Sequence, residues 1–95
     1  MKNHPEDPHP MPQELEHHQV MAFLRVKTRL GEIPDLAIAV GRNPLAPEGR
    51  AFTVWDVAVR NGTWVPFSGD WDLSWEQALK ELARRIAFRE RVPDE

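Results

Sequence analysis

The chain contains no cysteine and no tyrosine. The first absence excludes disulfide scaffolds, thiolate zinc sites and cysteine nucleophiles. Long apolar runs are missing as well. None approaches the ~20 residues of a membrane-spanning helix. No apolar stretch of signal-peptide length follows Lys2, so the cytoplasm is the expected compartment. A glycine-rich phosphate loop, a G-x-S-x-G elbow and an H-E-x-x-H helix are all lacking, which removes the common sequence signs of nucleotide, esterase and metalloprotease chemistry. Charge of one sign is scarce too: Lys plus Arg is 12 and Asp plus Glu is 15, for a net charge of −3. That near-balance excludes a bulk polyelectrolyte binder.

What remains is a chain of 95 residues, 41% hydrophobic and 28% charged, enough for one folded domain. The charge is unevenly placed. Residues 1–18 carry Glu6, Asp7, Glu14 and Glu16 against Lys2 alone, and the rest of the chain is neutral. Pro5, Pro8, Pro10 and Pro12 fall in the same segment, as do His4, His9, His17 and His18. Each proline lacks an N–H and restrains its predecessor, so neither helix nor central strand is expected there. Residues 1–18 are therefore expected to form a disordered, proline- and histidine-rich acidic tail, and residues 19–95 a single β-β-β-β-α domain. Without paired ligands at fixed spacing, the histidines predict no metal site.

Val20 to Leu30 alternates apolar and polar residues with a period of two, which predicts a strand. Leu30–Asp35 reads as a turn, Leu36–Val40 as a second strand and Gly41–Arg50 as a loop on its glycine and proline content. Ala51–Arg60 and Thr63–Phe67 flank Asn61-Gly62, the strongest short-range hairpin signal. A two-residue turn there predicts Arg60 opposite Thr63, Val59 opposite Trp64 and Ala58 opposite Val65. Pro66 marks the fourth strand as an edge or bulged strand. Ser74 and Gln77 form a capping box for a final helix ending near Arg91. Trp75, Leu79, Leu82 and Ile86 recur as an apolar stripe on it, with Ala78 and Ala83 alongside. The expected fold class is α+β: a four-stranded antiparallel β-meander with one C-terminal α-helix packed on one face, in two layers.

No catalytic constellation emerges. The stretch Gly69-Asp70-Trp71-Asp72-Leu73-Ser74-Trp75-Glu76 sets carboxylates beside indoles, but helix capping and core burial account for most of it. No catalytic residue, cofactor or small-molecule substrate is expected. If the helix covers the face carrying Trp55, Val57 and Trp64, the other face presents Phe23, Arg25, Lys27, Arg29, Arg60, Val54, Val65 and Phe67. Bases interleaved with aromatic rings suit a docking surface; solvated lysine and arginine stems covering apolar neighbours explain the same pattern. Trp71, in a loop, and Phe88, opposite the helix stripe among Glu81, Arg84 and Arg85, are further candidate anchors. The expectation is a small non-enzymatic interaction module, such as an adaptor, inhibitor or accessory subunit. Its partner-binding residues would be Phe23, Arg25, Lys27, Arg29, Arg60, Phe67, Trp71 and Phe88. The expected partner is another protein or a second copy of the chain, not a membrane. The alternative is a module that binds single-stranded nucleic acid on the same face.

Overall fold

The structure, a computed structural model, describes residues 9–28 and 31–91. It is an α+β fold with a curled antiparallel sheet and one C-terminal helix. The sheet has five strands, not four: β1 (Glu14–Leu15), β2 (His18–Thr28), β3 (Gly31–Arg42), β4 (Phe52–Arg60) and β5 (Thr63–Leu73), in the order β1-β2-β3-β4-β5. Helix α1 spans Trp75–Arg91.

The additional strand arises in the segment expected to be a tail. Glu16 (φ 52°) and His17 (φ 65°) both take left-handed backbone, which closes a tight hairpin between β1 and β2. The 18/19 boundary between tail and domain therefore falls inside the sheet, and His9–Pro12 also belong to the described structure. The rest of the expected tail, residues 1–8, lies outside the described residues.

The later hairpin forms as the Asn61-Gly62 signal requires. Asn61 and Gly62 have φ of 54° and 77°, and Arg60↔Thr63, Val59↔Trp64 and Ala58↔Val65 are the register pairs. Elsewhere irregularities alter the simple alternation. A bulge at Met21 makes Val20 and Ala22 face opposite sides, so the expected buried row from Val20 to Leu30 is split between two cores. Gly31–Asp35 belongs to β3 rather than to a turn, and the register shift between Val26↔Ile33 and Arg25↔Ala37 accommodates Pro34 in a bulge. Strand β5 is an edge, as Pro66 suggested, with an extra residue at Phe67 between the Val57↔Pro66 and Asp56↔Ser68 pairs.

Helix α1 packs on the face of Val54, not on the Trp55 face, which reverses the sidedness expected above. Beneath it lie Val26, Ile38, Val40, Phe52 and Val54, with Ala78, Leu82 and Ile86 contributed by the helix. Ala78 is fully buried, whereas Trp75 and Leu79 stay 48% and 45% exposed. The contact stripe is thus rotated from the expected one. Small Ala78 permits close approach, and the rotation carries the Arg85 guanidinium inward to the sheet. The start of α1 is closed by the expected box: Ser74 N–H donates to Gln77 Oε1 (2.9 Å), and Gln77 N–H donates to Ser74 Oγ (3.1 Å).

The helix-free face is buried by the curl of the sheet. Leu15, Ala37, Ala39, Trp55, Val57 and Trp64 form its core, with Val20, Phe23 and Val59 packed around them. Trp55 is fully buried, and it occupies space that two glycines leave open. A Cβ on Gly41 would lie 2.6 Å from the Trp55 ring, and one on Gly69 would lie 2.7 Å from it. His18 meets the same indole edge-on at 5.1 Å.

Candidate functional site

The site is built on the rim of this aromatic core. Phe23 on β2 and Trp64 on β5 project to the same side, because β3 and β4 between them keep register through Phe23↔Ala39 and Ala39↔Trp55. Their rings meet edge-to-face with centroids 5.0 Å apart. The Arg25 guanidinium lies 5.8 Å from the Phe23 centroid and 5.6 Å from that of Trp64, a double cation–π arrangement.

Across this platform runs the segment from His9 to Pro12. The Trp64 indole N–H donates to the carbonyls of His9 (3.1 Å) and Pro10 (3.2 Å), and Arg25 Nη2 donates to the same His9 carbonyl (3.0 Å). The His9 ring approaches Asp35 at 3.8 Å. Residues preceding proline are biased to extended backbone, and from Pro10 to Pro12 the segment follows a bend at His9 and makes no strand pairing. Three donor-to-carbonyl contacts from two side chains, to the main-chain oxygens of His9 and Pro10, hold this segment by its backbone.

The other expected site residues are dispersed. Lys27 lies on β2, with its side chain outside the description, and Arg29 is outside the described residues altogether. Arg60 is exposed at the end of β4, and Phe67 is exposed at the β5 bulge. Trp71 is half exposed, with its ring reaching over Gly69 beside Trp55. Phe88 is 55% exposed on α1, on the opposite side of the sheet from Phe23 and Trp64. Among the described side chains of these eight, only Phe23 and Arg25 are brought together, and they meet on the face that holds Trp55, not on the face of Val54.

Phe88 borders a second feature, a cleft of about 180 Å³ lined by Asp56, Ser68, Arg84, Arg85, Phe88 and Arg89. Arg85, only 8% exposed, donates to Asp56 (2.8 Å), Asp70 (3.0 Å) and Glu81 (2.7 Å). Burial disfavours its charge, but the three carboxylates outweigh that and raise its pKa. Arg84 also bonds Glu81, and chiefly this contact lowers the Glu81 carboxyl to about 2. Arg84 is raised in turn by the same bond. These carboxylates are engaged with arginine, an arrangement that ties helix to sheet. His18 is similarly occupied. Its Nδ1–H donates to the Glu16 carbonyl (2.8 Å), and Nε2 is hydrogen-bonded to the Thr53 hydroxyl (3.1 Å).

Sequence reasoning missed Trp64 as a donor, the bound His9–Pro12 segment and the Arg85 hub. Trp64 follows the Asn61-Gly62 turn on a face that reads as core; the available clue is an indole N–H near a strand end, which needs an acceptor once buried. Among the described residues no group of three or more His, Asp or Glu is placed to hold a metal ion, and no helix is long and apolar enough to cross a membrane. No family model matches the chain, and neither a curated protein nor a solved structure does.

Proposed function

We propose that the protein is a small non-enzymatic interaction module that captures an extended segment of a protein partner at the rim formed by Phe23, Arg25 and Trp64. The observation that carries this reading is the convergence of the Trp64 indole N–H and the Arg25 guanidinium on the main-chain carbonyls of His9 and Pro10. A platform of this kind reads backbone, and peptide recognition commonly couples backbone donors to aromatic walls. It favours a protein over single-stranded nucleic acid, because the Trp64 and Arg25 donors meet main-chain carbonyl oxygens of a peptide segment.

The test is affinity capture with the full chain and with Arg25→Glu, read by mass spectrometry at low and high salt. Retention of a defined protein at both salts, lost in Arg25→Glu while the circular dichroism spectrum stays native, is the expected result. Retention unchanged by Arg25→Glu overturns the assignment of this rim. Recovery of nucleic acid, with affinity falling log-linearly in salt, transfers the function to the alternative class.

A further inference from the structure

We infer that the segment captured at this rim is proline-rich and binds as a polyproline II strand, with the chain's own His9–Pro12 as its built-in competitor. This rests on the interaction-module reading above and names the chemistry of the partner. Three observations converge on it. The occupant seen in the structure is itself His9-Pro10-Met11-Pro12, prolines alternating with other residues, and it makes no strand pairing from Pro10 to Pro12. A polyproline II strand has no internal hydrogen bonds, so its carbonyls must be met from outside, which Trp64 and Arg25 do at His9 and Pro10. The Phe23–Trp64 pair supplies the aromatic wall on which proline-rich ligands of other recognition modules dock.

Proline also explains why the occupant is held without strand pairing. Its fixed φ removes much of the conformational freedom that an extended segment otherwise loses on binding. A trans ligand with the same feature meets the same donors with the same low entropic cost. The cis segment is joined to β1 through Gln13, whose carbonyl accepts from Val20 N–H at 3.0 Å, so the competitor stays tethered close to the rim. The apparent affinity for a trans peptide is then the intrinsic affinity scaled by the fraction of molecules in which the rim is uncovered.

The experiment is fluorescence anisotropy with a labelled synthetic peptide of residues 4–12 (HPEDPHPMP), titrated with the full chain and with full-chain variants. Pro10→Gly with Pro12→Gly loosens the cis segment. At about two- to fivefold per site, the pair is expected to tighten trans binding about tenfold. Trp64→Phe removes the indole donor and is expected to abolish saturable binding in that background. Arg25→Met is the second variant, should Trp64→Phe lose its native circular dichroism spectrum, and it is expected to weaken binding at least tenfold. A peptide with its four prolines replaced by alanine is expected to bind at least tenfold more weakly than the parent. Absence of binding to the Pro10→Gly, Pro12→Gly chain overturns the inference, as does equal binding of the alanine peptide. If either occurs while Arg25→Glu still loses its captured protein, the proline-rich ligand falls and the interaction module stands. If the capture also proves insensitive to Arg25→Glu, both fall.

Discussion

The face under the helix is filled mainly by valine, isoleucine, leucine and alanine around a single phenylalanine, Phe52, whereas the helix-free face centres on Trp55, Trp64, Phe23 and His18, with Leu15, valines, alanines and glycines around them. Aliphatic side chains are short, so they exclude water only when a second layer is laid over them, and α1 supplies it. Two large indoles and a phenylalanine fill the hollow of a curled sheet with only a two-residue strand and a stretch of extended chain above them. The difference decides where binding chemistry can sit. On the helix-covered face the polar network of Asp56, Asp70, Glu81 and Arg85 is spent on holding α1. The aromatic face ends in an indole N–H and a guanidinium, both aimed at carbonyl oxygens.

The comparison breaks most severely at Trp55. Trp55→Ala empties the centre of the aromatic face, and a loss of about 3–5 kcal/mol in urea unfolding is expected. A loss below about 1 kcal/mol shows instead that the curl is held by its hydrogen-bond ladders alone. On the opposite side, Arg85→Met keeps the stem but leaves the Asp56 carboxylate, with a side-chain exposure of only 13%, to the longer 3.5 Å contact with Arg89. The expected cost approaches the ~3 kcal/mol at the lower end for a broken buried pair, because Asp70 is half exposed and recovers water. Amide exchange sharpens the contrast: Arg85→Met should deprotect α1 first, and Trp55→Ala the β1–β2 hairpin.

Ser74→Ala removes the acceptor for Gln77 N–H and should cost about 1 kcal/mol, seen as a lower urea midpoint with unchanged slope. The smallest effect is confined to acid. Glu81 is depressed from 4.5 to about 2 in the folded protein, so its contribution is fully present above pH 4.5 and is lost as pH falls from there towards 2. Stability of the native chain should decline more steeply across that window than that of Glu81→Gln, by urea titration at fixed ionic strength. Parallel declines would remove Glu81 from the network.

Much of the local structure was legible from the residues. Asn61-Gly62 sets the β4–β5 register because asparagine and glycine accept positive φ at lower cost than most residues. Ser74 and Gln77 mark the start of α1 because their side chains match the unpaired N–H groups there. The candidate site was half legible: Phe23 and Arg25 stood out as an aromatic and a base in alternation, but Trp64 did not stand out as their partner. Period-two alternation assigns residues to one of two faces without saying which face a helix will cover. The bulge at Met21 then interrupted even that assignment, since one extra residue inverts the alternation and no turn chemistry announces it.

By itself, then, the sequence determined the α+β class, the order of the longer strands, the hairpin register and the capped helix, all of which rest on interactions spanning a few residues. Tertiary structure decided which face α1 covers, that residues 14–15 join the sheet, and that His9–Pro12 lies on Trp64. Those outcomes depend on contacts between residues up to 55 positions apart, where the volume of Trp55, the small size of Ala78 and the reach of Arg85 compete directly. A short-range pattern carries no information about that competition, so the charged and aromatic residues it identified acquired their meaning only when the sheet curled around them.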